Sequence, residues 1–342
     1  MQPSLSALIE PYRSVSIIGM CKNAGKTTAL NQIIRHCAGN GQTLALTSIG
    51  RDGEGTDLVT NTKKPGIYVP QGTLIATAAD LLLRHCDTTR EILDTTGIST
   101  PMGDVVIFRA RSDGAIQLAG PSMTGQLARL REAFFRLGAD KVLIDGALSR
   151  KTLCSRHVTD ATILCTGASY HKNLDVVISD TAYQCQLLTL PETEDVTVRS
   201  FARDADDFRS IALLGADTPF PLPAGLSLED GLRRPEGQST RSVFFGGALS
   251  DFMLKPLLMS SAKLQDIQFV VRDSSKLLLS RDTYEKLLRR GVRLQVLDTV
   301  NLVAVTVNPF SAYGFHCSKE ELTARMADRI DLPVINVMED AL

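Results

Sequence analysis

Apolar residues along this chain fall into short uninterrupted runs, separated by stretches in which they recur every three or four positions. Val15 to Ile18 is the first such run, and it leads into Ala29-Leu30 and Ile33-Ile34. The change from a continuous to a helical period predicts a buried strand over 14–19 and a helix over 26–37. Asn40-Gly41 is a helix stop, and Thr43 to Ile49 reads as the next strand. Leu74, Ala78, Leu81 and Leu82 have helical spacing, which predicts a helix over 73–83. Val105 to Leu118 reads as two short strands around the turn Ser112-Asp113-Gly114, a hairpin. A helix over 123–137 would carry Leu127, Leu130, Phe134 and Leu137 on one face. The run Lys141 to Ile144 is an apolar strand ending in Asp145-Gly146, and Ala161 to Cys165 is another.

Uniformly apolar strands separated by helices point to an α/β fold with a mostly parallel sheet covered by helices on both faces. Residues 191–241 break the pattern: acidic residues cluster early, and Pro219, Pro221, Pro223 and Pro235 follow among Gly and Arg. This stretch reads as a connection between a domain at 1–190 and a C-terminal α/β half at 242–342, either a separate domain or an extension of the same sheet. The second half alternates Val243-Phe244-Phe245, helix 250–263, strand 267–271, helix 282–290, strands 294–297 and 302–307, helix 318–329 and strand 334–337.

Composition narrows the class. Hydrophobic residues make up 44% and charged residues 22%, the balance of a globular chain. A formal net charge of −1 argues against a nucleic-acid or anionic-membrane surface. No apolar stretch nears the roughly 20 residues that span a bilayer, and the N-terminus lacks the basic start and apolar core of a signal peptide. The seven cysteines are scattered, odd in number and never spaced Cys-x-x-Cys. Together these features lead to the expectation of a reducing cytoplasm, with thiols used as small apolar groups.

Chemistry concentrates in Gly19-Met20-Cys21-Lys22-Asn23-Ala24-Gly25-Lys26-Thr27-Thr28. Strand, Gly-containing loop and helix in that order are the context of a phosphate-binding P-loop, in which backbone N–H groups and the helix dipole surround an anion. Lys22, Asn23, Ala24, Gly25, Lys26, Thr27 and Thr28 are then the nucleotide-binding set. Lys26 would reach the β- and γ-phosphates, and Thr27 would offer its hydroxyl to Mg²⁺. Five residues separate Gly19 from Gly25 where four are usual. Asp145, ending a strand at the same sheet edge, is the first candidate for a metal carboxylate. Asp52, on the Gly-rich loop after the next strand, is the second and a candidate catalytic residue, with Glu54 and Asp57 as competitors. Lys63, Lys64, Arg150 and Lys151 lie on loops expected at that edge. Asn308-Pro309 and Asp273-Ser274 end strands where a second ligand or partner could be read. No Asn-Lys-x-Asp guanine motif follows a late strand, since Lys172-Asn173-Leu174-Asp175 has the wrong order, and this favours ATP over GTP.

The elongated loop before Gly25-Lys26-Thr27 and the strand end Asp145-Gly146-Ala147 resemble the branch of P-loop proteins that contains dethiobiotin synthetase, the cobyrinic and cobyric acid amidases and the ATPases related to nitrogenase iron protein. Three segments together, Gly19 to Thr28, Gly66-Ile67-Tyr68-Val69-Pro70-Gln71-Gly72-Thr73-Leu74-Ile75-Ala76-Thr77-Ala78 and Ile144-Asp145-Gly146-Ala147-Leu148-Ser149-Arg150-Lys151, are similar to the lysine 5,6-aminomutase reactivase B subunit family; Val305-Thr306-Val307-Asn308-Pro309 agrees. The resemblance implies an ATPase that acts with a MutS-like ATPase subunit on an adenosylcobalamin-dependent lysine 5,6-aminomutase, and by analogy a homodimer. It carries the roles of Lys26, Thr27 and Asp145 onto this chain, and of Asp52 less directly. Two other readings stay open: a small-molecule synthetase of the dethiobiotin type, with Lys22, Lys26 and Asp52 around the γ-phosphate, and a regulator that binds nucleotide without hydrolysis.

Overall fold

The computed structural model of the chain describes residues 4–50, 66–147, 154, 156–205, 211–215, 219–223, 225–233 and 240–338. Two units emerge, Met1–Cys185 with Asn301–Leu342, and Gln186–Val300. In the first, α1 (Leu5–Ile9) precedes β1 (Ser14–Gly19), α2 (Lys26–Gly39), β2 (Leu44–Ser48), β3 (Ile67–Val69), β4 (Leu74–Ala78), α3 (Ala79–Arg84) and β5 (Arg90–Thr100). The chain continues through β6 (Gly103–Ala110), β7 (Gly114–Ile116), α4 (Thr124–Arg136), β8 (Lys141–Ala147), β9 (Ala161–Gly167) and α5 (Leu174–Leu188). The second unit holds α6 (Val196–Asp204), β10 (Ile211–Gly215), β11 (Phe220–Pro221), α7 (Leu228–Leu232), β12 (Thr240–Phe245), β13 (Leu249–Ser250), α8 (Asp251–Met259), β14 (Gln268–Asp273), β15 (Leu277–Leu278), α9 (Arg281–Arg289) and β16 (Arg293–Asp298). The chain then returns to the first unit as β17 (Leu302–Asn308), α10 (Lys319–Ala327) and β18 (Val334–Asn336).

A nine-stranded sheet, ordered β18-β17-β9-β1-β8-β2-β4-β6-β5, is the frame of the first unit. Every pairing from β18 to β4 is parallel, and β6 and β5 close the far side antiparallel. All residues of β1, β2, β4 and β9 are buried, so both faces of these strands are covered. That is why their sequences are continuously apolar rather than alternating. On α2, the stripe Ala29, Leu30, Ile33, Ile34 and Cys37 enters one cluster with Val15, Ile17, Leu44, Leu46, Leu143 and Ile163. Each fully buried Leu or Ile in this layer contributes about 1.5–3 kcal/mol. Lys141 is also buried; its Nζ donates to the carbonyls of Ile9 and Tyr12, tying the end of α1 to the start of β8.

The second unit has its own five-stranded sheet, β11-β10-β12-β14-β16, in which β12, β14 and β16 run parallel and β10 antiparallel to β12. Val198, Ala202, Ala212, Leu214, Phe244, Val270 and Leu297 form a core cluster there, and Phe245 meets Phe269 edge-on at 5.3 Å between ring centroids.

Several expectations are corrected. The stretch 191–241 carries α6, β10, β11 and α7 within the second unit, where the sequence had read a connection. The C-terminal half is likewise divided, because β17 pairs with β9 and so returns residues 301–342 to the first sheet. The division at 190 and 241 therefore differs from the structural one at 185 and 300. The Ile211-Ala212-Leu213-Leu214 run that forms β10 lies just ahead of Pro219, Pro221 and Pro223, whose presence made the whole stretch read as a connection. Residues 74–78 form the strand β4 and the helix begins only at Ala79; a short apolar run does not distinguish a doubly buried strand from a helix face. The turn at 112–114 does join two strands, yet β6 pairs with β4 and β5 while β7 pairs with β3, so no hairpin forms.

Truncating Ile33→Ala, buried on α2, is expected to cost about 2–5 kcal/mol. Leu83→Ala, at a site 71% exposed, should cost less than about 0.5 kcal/mol. Urea denaturation of both variants checks the difference; equal costs would contradict the placement of α2 over the sheet.

Candidate functional site

Parallel pairing brings the ends of β8, β1, β9 and β17 to one edge. Gly19, the last residue of β1, pairs with Ala147 on one side and Cys165 on the other, while Gly167 of β9 pairs with Asn308 of β17. The chain after β1 rises over that edge. Met20 N–H donates to the Cys165 carbonyl at 2.8 Å, still holding the sheet direction, and residues 21–25 then turn into α2.

Two residues in the turn have left-handed backbone, Asn23 at φ 60° and Gly25 at φ 93°. Gly25 is the N-cap of α2 and supplies no side-chain cap, and no acidic residue lies in the first turn. The N–H groups of Lys26, Thr27 and Thr28, which lack intrahelical acceptors by position, therefore point out at the positive end of the helix dipole. By contrast α6, α8, α9 and α10 are capped by Asp195, Ser250, Ser280 and Ser318. A Cβ at Gly25 would stand 3.2 Å from both Asn308 Cβ and Val337 Cγ2.

Lys26 folds back across the end of β1. A Cβ on Gly19 would stand 3.0 Å from its Cγ and Cδ and 3.2 Å from its Nζ. Glycine at 19 leaves that space to the lysine, whose ammonium lies beside the end of β1. Lys26, Thr27 and Thr28 are half-buried, Ala24 is buried, and Lys22 is exposed. Asp145 is half-buried in β8 with Oδ1 shielded from solvent, and its neighbours in register are Ile17 and Ser48. Its carbonyl accepts the Ile49 N–H at 3.0 Å.

The electrostatics register the same grouping. The buried Cys165 thiol is pushed up to about 12 by burial, a hydrogen bond from Thr306 and the charge of Lys26 pulling it down and Asp145 pushing it up, so both charges reach one buried group. Cys21, in the loop itself, is raised to about 11 by burial against a smaller opposing pull from Lys26.

Among the residues singled out from the sequence, the structure assembles Lys22 to Thr28 and Asp145 at one edge. Asp52, Glu54, Asp57, Lys63, Lys64, Arg150 and Lys151 lie outside the described residues. Among the described residues no group of three or more His, Cys, Asp or Glu is placed to hold a metal ion. Sequence reasoning read Asn308 as a strand end where a second ligand or partner could lie and missed that it borders the loop: its Nδ2 is 3.5 Å from the Asn23 carbonyl, and its Oδ1 accepts the Phe310 N–H at 3.0 Å. Val337, read from the sequence only as the end of a strand over 334–337, lies just past β18 and closes the same side. No helix among the described residues is long and apolar enough to cross a membrane. No family model matches this chain, and no curated relative is found for it.

Because burial holds the thiols protonated, roughly a thousandth of Cys21 is thiolate at pH 8. Its alkylation by iodoacetamide at that pH should be far slower in the folded chain than in urea, as mass spectrometry of residue 21 would report; equal rates would contradict it. The sign for stability follows. With Cys21 and Cys37 raised to about 11 and Cys165 and Cys185 to about 12, their contribution is complete below pH 9 and is lost as pH rises toward 12.

Proposed function

We propose that this chain is a P-loop ATP-binding protein and that it serves as the ATPase subunit of a system that reactivates an adenosylcobalamin-dependent lysine 5,6-aminomutase together with a MutS-like ATPase subunit. The observation that carries the nucleotide part is Lys26 laid over Gly19 at the uncapped start of α2, one strand away from Asp145. An anion at that helix start meets the N–H groups of the first turn, the positive end of the helix and a cation that lies close over the Cβ-free Gly19. The reactivation part is supported by the similarity of the segments 19–28, 66–78 and 144–151 to that family.

The residues fit a Mg²⁺-nucleotide. The donor set consists of a hydroxyl at Thr27 and a carboxylate at Asp145, the oxygen ligands this cation takes alongside phosphate and water. Mg²⁺, when bound, neutralises charge on the terminal phosphates. Lys26 supplies a charge-assisted hydrogen bond to the same oxygens and orients the γ-phosphate. Asn23 and Gly25, by their left-handed backbone, turn successive N–H groups inward as an anion nest. Asp52, within a segment outside the described residues, remains the second candidate carboxylate.

Lys26→Ala is expected to weaken Mg²⁺-ATP binding about 10- to 100-fold, the worth of a charge-assisted hydrogen bond. Gly19→Ala, which crowds only the flexible Lys26 chain, should weaken it too while moving stability by less than about 1 kcal/mol. Calorimetric titration with parallel thermal melts checks both; full affinity in either variant would overturn the nucleotide reading. For reactivation, phosphate release by the chain with its MutS-like partner should rise when inactivated aminomutase is added. A flat response from the assembled complex overturns that role, and release that depends instead on diaminopelargonate carbamate would identify a synthetase of the dethiobiotin type.

A further inference from the structure

Past β17 the chain makes a closed excursion over 309–317 at the same sheet edge. Cys317 N–H donates to the Pro309 carbonyl at 3.0 Å and Ser311 N–H to the Phe315 carbonyl at 2.9 Å, with a bridge between Phe310 and His316. Ala312 N–H donates to Ser169 Oγ at 3.0 Å, which anchors the excursion on the segment after β9. The excursion is thus closed by its own backbone hydrogen bonds. It nevertheless displays two large aromatic side chains, Phe310 at 53% and Tyr313 at 59% exposure. The His316 ring lies beside that of Phe310, with centroids 6.4 Å apart and planes tilted by 36°. Asn308 joins this excursion to the loop after β1, since one amide contacts both the Phe310 N–H and the Asn23 carbonyl.

The order of strands gives this platform a direction. β8, with Asp145, lies on one side of β1, and β9 and then β17 lie on the other. With its terminal phosphates at Lys26 and Asp145, a nucleotide laid along the sheet edge away from β8 runs toward the ends of β9 and β17. That side is where Phe310 stands, next to Asn308. A half-exposed aromatic face held rigid by backbone hydrogen bonds is suited to a planar ring, because little ordering entropy is lost on stacking.

We propose that Phe310 is the stacking platform for the purine base of the nucleotide whose phosphates are held by Gly25 to Thr27. The proposal rests on the nucleotide reading above and adds the base-side subsite to it.

The test compares Mg²⁺-ATP with Mg²⁺-tripolyphosphate, which has phosphates and no base, by calorimetric titration of the full chain. Phe310→Ala is expected to weaken ATP binding about 5- to 100-fold, the range for loss of one base–aromatic stack, and to leave tripolyphosphate binding within about twofold. Phe310→Tyr, which keeps the ring, should retain ATP affinity. Retained tripolyphosphate binding also reports that the variant is folded. Unchanged ATP affinity in Phe310→Ala, or equal losses for both ligands, would overturn the stacking role and leave the phosphate site standing. Failure of the unsubstituted chain to bind either ligand would instead overturn the nucleotide reading, and the stacking role with it.

Discussion

Parallel pairing in the large sheet is the constraint from which the rest of the first unit follows. Strands that run the same way in a sheet present all their carboxyl ends at one edge, and the hydrogen-bond ladder fixes which residues stand level there. Gly19 stands level with Ala147 and Cys165, and Gly167 with Asn308. A slip of one residue in β1 would turn Val15 and Ile17 to the opposite face and detach Gly19 from its neighbours. The continuously apolar strands hold that register because both faces are buried, and an unpaired backbone group in such a place is costly. Position at the edge is therefore a consequence of packing far below it.

Left-handed backbone marks the place where that edge is crossed. The left-handed conformations of Asn23 and Gly25 sit between the last residue of the ladder and the first turn of α2. Gly25 takes this conformation without a Cβ penalty and Asn23 is one of the few other residue types that tolerate it; together they bring the helix start close against the strand end, with Lys26 returned over Gly19. The surroundings are tight enough to raise the thiols of Cys21 and Cys165, so the half-buried cation at 26 acts in a medium less screened than water. In the proposed nucleotide site this strengthens Lys26, and Asn308 links the loop to the aromatic excursion beyond β17.

The second unit is a long insertion between β9 and β17, and it carries a sheet and core of its own. Insertions of this length are tolerated because closure entropy grows slowly with loop size and the inserted residues bury their own apolar surface. Its presence explains why a linear reading of the chain misassigned the C-terminal half. Val334 to Asn336 and Leu302 to Asn308 complete the first sheet from a distance of well over a hundred residues, and long-range pairing leaves no trace in local periodicity.

The amino-acid sequence by itself determined the elements whose pattern is complete within a few turns of chain. The apolar run into β1, the stripe along α2 and the strand ending at Asp145 were all readable, because burial on both faces or on one helical face imposes a period. The spacing of Gly19, Gly25 and Lys26 was legible for the same reason: a tight strand-to-helix turn demands particular backbone freedoms from adjacent residues. Strand order was decided only by the tertiary structure, as were the identity of β4 as a strand, the return of β17 and β18 to the first sheet, and the approach of Asn308 and Val337 to Gly25. Those features depend on which surfaces remain to be covered after the local elements have formed, and that is a property of the whole set of faces rather than of any one segment.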